Sequence, residues 1–168
     1  MLIGSPQPGV AFTIGYERAG LLDLIATLHD AGVKRVLDIR GLPLSRRAGF
    51  SKTPLSFALA GAGLGYLHLR SLGTPAALRH AHRAGMDRDE FRRACRELLG
   101  AEDAALQEAG ALLAEQPGCL LCVEADADNC HRAVVAELLL ERGLVSRVEH
   151  LRVPGLAAPR TGASRMSK

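Results

Sequence analysis

The stretch AFTIGYERAGLLDLIATLHDAGVKRVLDIR, residues 11–40, decides the fold. Its ends, AFTIGY and VKRVLDIR, read as short buried strands. Between them Leu21, Leu22, Ile25 and Leu28 recur at helical spacing, with Gly32 just past the end. A crossover of this length through a helix makes the two strands parallel. Parallel sheets are covered on both faces, which suits strands that are almost entirely apolar.

The alternation continues downstream. SKTPLSFALAGAG predicts a helix with Thr53 as N-cap and Pro54 at its first position, and GYLHL predicts a third strand. Thr74 and Pro75 repeat the cap signal before a helix over about 75–84, and Asp87 with Glu90 forms a capping-box pattern opening DEFRRACRELL. An Ala- and Leu-rich helix is expected over about 101–115. CLLCVEA then reads as a strand, CHRAVVAELLLERG as a helix ended by Gly143, and SRVEHL as a last strand. The expected architecture is a three-layer α/β sandwich of about five mainly parallel strands with helices on both faces.

The 168 residues are enough for one domain with a full core, expected over 10–156, and both ends, 1–9 and 157–168, read as flexible. With 48% hydrophobic but only 4% aromatic residues and no Trp, the core must be Leu, Val, Ile and Ala. A net charge of +3 does not by itself announce a nucleic-acid binder. No apolar run approaches the roughly 20 residues that span a bilayer, and MLIGSPQPG lacks the charged start and apolar stretch of a signal peptide. A cytoplasmic protein without a membrane partner is expected. Its four thiols, Cys95, Cys119, Cys122 and Cys130, should then be reduced.

In an open parallel sheet, ligands bind beyond the carboxyl ends of the strands. The polar residues expected there are Gly15, Tyr16 and Glu17, then Asp38 and Arg40, then His68 and Arg70, then Cys122 and Glu124. Alternation puts Asp38 with Arg40, and Cys122 with Glu124, on shared faces, whereas Cys119 and Cys122 point oppositely and do not form a C-x-x-C pair. Cys119 and Cys95 are assigned to the core. The loop RGLPLSRRAGFSK, residues 40–52, carries Arg40, Arg46, Arg47 and Lys52 without an acid, together with Ser45 and with Phe50 as a base-stacking candidate.

The segment DADNCHR, residues 126–132, stands where a strand gives way to a helix. Asn129 or Asp128 is expected to cap that helix, whose positive end would favour Cys130 as thiolate. Arg132, electrostatically misplaced in the first turn, is expected to reach over the sheet edge to the carboxylate of Glu124 or Asp38. Local pairing with Asp126 or Asp128 is the plainer alternative.

TIGYE, LDIRGLPLSRRAGFSK, GYLHLRSLGTP, CVEADADNCHR and VEHL, in this order, resemble the bacterial and archaeal family of the domain of unknown function 488. The resemblance implies an α/β fold and points to Gly15, Asp38, Arg40, Pro43, Ser45, Gly73, Cys122, Glu124, Cys130, His131 and Arg132 as family-pattern positions. It implies no reaction. An aromatic-rich segment frequent in the family before the penultimate helices is replaced here by RHAHRAGMDRDEFRRAC, with Phe91 alone. The D-x-R element and a cysteine after a buried strand are similar to rhodanese domains, which need a tight Cys loop; VEADADN is long and free of glycine.

Taken together, the sequence predicts a pocket for an anionic ligand (phosphate, nucleotide or nucleic-acid end) in a hydrolase or transferase. Asp38, Glu124, Cys130 and His131 are its catalytic candidates. Gly15, Tyr16, Arg40, Ser45, Arg46, Arg47, Phe50, Lys52, His68, Cys122 and Arg132 are its binding candidates. The alternative is a non-catalytic nucleic-acid-binding module built on loop 40–52. Metal binding by Cys122, Cys130 and His131 ranks last, because adjacent ligands at 130 and 131 strain the geometry. No metal or cofactor is therefore expected, and the oligomeric state is left open.

Overall fold

The strand–helix–strand unit forms as its periodicity predicts: β1 (Gly9–Gly15), α1 (Leu21–Asp30) and β2 (Arg35–Asp38). The structure, a computed structural model, describes residues 7–154. The expected loose ends lie outside these residues except for 7–9, where Gly9 already begins β1. After β2 come α2 (Lys52–Gly61), β3 (Gly65–His68), α3 (Ala76–Arg83), α4 (Arg88–Gly100), α5 (Asp103–Glu115), β4 (Gly118–Cys122), α6 (His131–Glu141) and β5 (Val145–His150).

The five strands form one sheet in the order β3-β2-β4-β1-β5, every pairing parallel. Alternate side chains enter two cores. Leu37, Leu120, Val134 and Leu138 pack with Phe91, Cys95, Leu99 and Leu106 under α4, α5 and α6. Ile14, Val36, Cys119 and Leu121 pack with Leu24, Leu28, Leu55 and Leu59 under α1 and α2 on the opposite face. The result is a three-layer α/β sandwich. Among the described residues, no helix is long and apolar enough to cross a membrane.

Three helix starts differ from expectation. α2 begins at Lys52 with Ser51 as N-cap, so Pro54 falls on the third helical residue. It is tolerated there because the first four N–H groups of a helix lack intrahelical acceptors. α3 starts after Pro75, not Thr74. Cys130 itself is the N-cap of α6, with no side-chain cap, while Asp126 instead accepts a hydrogen bond from the Asp128 N–H (3.0 Å) in a 3-10 turn over Ala127–Asn129. Asp87 caps α4 as expected, accepting from Asp89 N and Glu90 N.

Candidate functional site

The register aligns Gly15 with Cys122, Asp38 with Leu121 and Asp38 with His68, so the carboxyl ends of four strands lie in one row. The chain after β1 and β2 leaves toward α1 and α2, and the chain after β4 toward α6 on the other face. The loops flanking β4 therefore part, and a crevice opens where they do. Two glycine contacts draw the loops together. A Cβ on Gly15 would meet the Glu124 carbonyl oxygen at 1.7 Å, and one on Gly73 would meet Gly41 Cα at 2.3 Å. The loops after β1 and β4, and those after β2 and β3, thus touch backbone to backbone. Gly15 is required there by the close packing of the two backbones.

On the α1–α2 side, Asp38 and Arg40 form a buried bidentate pair, with Arg40 Nε donating to Oδ1 (2.9 Å) and Nη2 to Oδ2 (2.7 Å). Arg40 Nη1 also donates to the Phe50 carbonyl (2.7 Å) and to Tyr16 Oη (3.2 Å), and Tyr66 Oη donates to Asp38 Oδ2 (2.5 Å). Burial alone would lower the Arg40 pKa, but the Asp38 carboxylate outweighs it and holds the guanidinium more firmly protonated. Burial, reinforced by the bond to Asp38, pushes the Tyr66 phenol upward, so it remains a donor. Arg40 is thus largely committed to tying β2, the basic loop and the β1 loop together. Phe50, 2% exposed, stacks on Tyr16 (centroids 4.7 Å apart) beneath Arg47 and is closed off from any base. Arg47 also donates to the carbonyls of Tyr16 (2.8 Å) and Ala19.

On the α6 side, Cys122 Sγ lies 3.4 Å from His131 Nδ1 and 3.9 Å from Glu124 Oε2. His131 Nε2 donates to the Ile39 carbonyl (2.8 Å). Since a carbonyl only accepts, a proton sits on Nε2 and Nδ1 faces the thiol; burial would lower the His131 pKa, but its bonds to Cys130 and the Ile39 carbonyl outweigh that and raise it. Cys130 is fully buried, and its thiol is pushed well up by that burial and by the neighbouring Cys122. This reverses the expected thiolate, because a helix terminus contributes at most about 2 kcal/mol whereas an uncompensated buried charge costs several. Burial likewise pushes Cys95 up to about 12 and Cys119 higher still, in keeping with their places in the two cores.

Arg132, fully buried, does reach over the sheet edge, but to carbonyls rather than a carboxylate. Its Nη1 donates to the Glu124 carbonyl, Nη2 to the Ala125 carbonyl (3.2 Å) and Nε to Thr13 Oγ1 (3.2 Å). It holds the β4–α6 loop against β1. The strand turns away after Cys122, so the Glu124 carboxylate faces the crevice while its carbonyl faces back. Thr13 also contacts His150 Nδ1 (2.7 Å).

The crevice is a cavity of about 970 Å³. Of the expected residues, Tyr16, Arg40, Ser45, Arg46, Arg47, Cys122, Glu124 and His131 line it. Asp38, Cys130 and Arg132 lie behind the lining, and Phe50 is beneath it. Lys52 opens α2 outside the lining, and His68 turns its ring to the Arg40 carbonyl (2.7 Å).

Sequence reasoning missed the far wall, where α3 contributes Arg79, His80, His82 and Arg83 and the β1 loop adds Arg18. His82 stacks on Phe91 (3.8 Å) and donates to the Asn129 carbonyl (2.9 Å), joining α3 to the CHR turn. The signal was legible: RHAHR lies on the first helix expected after the third strand, with no acid between that strand and Asp87. Tyr66 and Thr13 were visible only as polar residues inside apolar strands.

A model of the family described as Domain of unknown function DUF488 matches residues 21–139, from α1 into α6. β1 and β5, and with them TIGYE and VEHL, lie outside the match. No curated protein and no solved structure matches the chain.

Proposed function

Because this chain belongs to the DUF488 family, whose name carries no reaction, we propose its function from the cavity alone: it binds a phosphate-bearing anion there and acts on it as a hydrolase or transferase. One observation carries the reading. Six arginines and two glutamates line the cavity, and among the described residues only Arg40 of the six is ion-paired. Arg18, Arg46, Arg47, Arg79 and Arg83 face Glu17 and Glu124, a formal excess of three positive charges drawn from three separate elements. Converging like charges repel one another unless an anion sits among them. Guanidinium forks suit phosphate oxygens. The volume lies at the upper end of the usual range for small-molecule sites, about 300 to 1,000 Å³, and suits a nucleotide-sized ligand.

Cys122, His131 and Glu124 form the reactive group of this reading. Cys122 replaces Cys130 as the candidate nucleophile, since it lines the cavity against an oriented imidazole. The alternative, a nucleic-acid-binding module on loop 40–52, keeps Arg46 and the α3 rim. It loses Phe50 to the core, while Lys52 stays exposed outside the cavity.

Binding is tested by titrating inorganic phosphate, nucleoside mono-, di- and triphosphates and a short single strand into wild type and an Arg79→Gln/Arg83→Gln variant at several salt concentrations. The expected result is nucleotide binding weakened at least tenfold by the variant. Indifference to the variant, or no binding of any phosphate, overturns the reading. Binding of the strand alone, with a steep salt slope, favours the module. A screen of phosphatase, nuclease and sulfurtransferase substrates, with Cys122→Ala as control, tests the reaction.

A further inference from the structure

We propose that Cys122, Cys130 and His131 form a zinc(II) site with three protein ligands and a fourth position open to the cavity. The Sγ atoms of the two cysteines and a ring nitrogen of the histidine all lie within 4.8 Å of one another, and all three residues are buried. Tetrahedral zinc, with Zn–S near 2.3 Å and Zn–N near 2.0 to 2.1 Å, holds its donors roughly 3.5 to 3.8 Å apart. Cys122 Sγ and His131 Nδ1 are already 3.4 Å apart, and with every pair inside 4.8 Å, side-chain shifts of about 1 Å close the set to tetrahedral spacing.

Sequence adjacency of 130 and 131 is no obstacle. Cys130 is the extended N-cap residue (φ −137°, ψ 145°) and His131 the first residue of α6, so the backbone changes direction between them and their donors converge.

The surroundings match what a ligating histidine needs. Its Nε2–H is held by the Ile39 carbonyl, which fixes the ring and leaves Nδ1 as the nitrogen that faces the thiols. Two thiolates and a neutral imidazole balance the charge of a divalent ion, so the loaded site buries no net charge. Cys122 and His131 line the cavity and give the ion an entry path; Cys130 completes the set from beneath. Glu124 also lines the cavity, its Oε2 being 3.9 Å from Cys122 Sγ, and stands beside the fourth position without being needed as a ligand. Two cysteines and one histidine with an open fourth position is a catalytic type of zinc set, whereas structural sites are closed by four protein ligands.

The site does not depend on anion binding, but with the ion bound Cys122 and His131 are ligands, so the nucleophile role given to Cys122 above belongs to the metal-free protein; the test keeps the two apart. Protein stripped with a chelator is titrated with cobalt(II), watching for a thiolate-to-metal charge-transfer band and tetrahedral visible bands, and separately with zinc alone in a thermal-unfolding assay. The expected result is one equivalent bound, a raised melting temperature, and at least tenfold weaker binding in Cys122→Ser and His131→Gln, with Cys95→Ala unchanged. Absence of the charge-transfer band together with no zinc-dependent shift overturns the site. Glu124→Gln should keep the stoichiometry; loss of metal there overturns the open fourth position. Phosphate binding is scored in the stripped protein, so neither failure stands in for the other.

Discussion

The Asp38→Asn substitution tests whether the strand end is organised by a buried charge pair. The Asp38 carboxylate is fully buried and the Arg40 side chain is 2% exposed; the carboxylate accepts from Arg40 Nε, Nη2 and main-chain N (3.1 Å) and from Tyr66 Oη. A carboxamide in its place would set an N–H against a guanidinium or phenol donor and leave the arginine buried without a counter-charge. Breaking such a pair from one side costs about 3 to 5 kcal/mol, against under about 1 for an exposed pair. With a urea slope near 2 kcal/mol/M, the unfolding midpoint should fall by about 1.5 to 2.5 M at unchanged slope. Arg40→Met should cost a similar amount by stranding the carboxylate. Asp38→Leu/Arg40→Met, which removes both charges, should recover most of either loss, short of about 1 kcal/mol for each partner left on Tyr66 and Phe50. Losses that merely add, or a single loss below about 1 kcal/mol, would refute the argument and mean that water reaches the pair.

In metal-free folded protein, a small thiol reagent should modify Cys122, the one cysteine lining the cavity, while Cys95, Cys119 and Cys130 react only after unfolding; peptide mass spectrometry decides, and early labelling of Cys130 would contradict its burial. Arg132→Met should leave the Glu124 and Ala125 carbonyls without their donor, cost about 2 to 4 kcal/mol and speed hydrogen exchange across 123–129, whereas unchanged exchange there would show that the loop is held by something else. Partial burial and the charge of Arg132 lower the His150 pKa, so the unfolded chain takes up the extra proton first as pH falls. The stability this neutral histidine contributes is complete above about 6.5 and is lost as pH drops through the lowered folded value, so His150→Gln should flatten the acid side of a stability-versus-pH curve.

Much of the fold was legible because its signals are local. The short apolar runs of β1, β2 and β4 and the 3.6 spacing in α1 and α4 each depend on neighbours within one element, and parallel pairing followed from the length of the crossovers. Helix starts at Lys52, Ala76 and His131 were not legible, since Ser51, Pro75 and Cys130 act as boundaries without side-chain caps. Neither Pro75 nor Cys130 is a usual N-cap type, and Ser51 stands two residues before the Thr53 that the Thr-Pro pattern favours. Each boundary falls where tertiary packing starts the helix.

The site was readable one strand at a time and unreadable across strands. Asp38 with Arg40, and Cys122 with Glu124, follow from alternation alone. That Arg132 chooses carbonyls over a carboxylate depends on how far the Glu124 backbone is drawn to Gly15, a distance between chain segments more than a hundred residues apart. Cys130 shows the same limit in electrostatics. Its place at a helix start suggests an acidic thiol, but burial, which no local pattern reports, decides the opposite. The same burial that silences Cys130 as a lone nucleophile brings its sulfur beside Cys122 and His131. A fully buried thiol next to an oriented imidazole is costly to ionise alone and favourable to ionise around a divalent cation, so the depth of Cys130 weighs against Cys130 as a lone nucleophile and toward shared ligation.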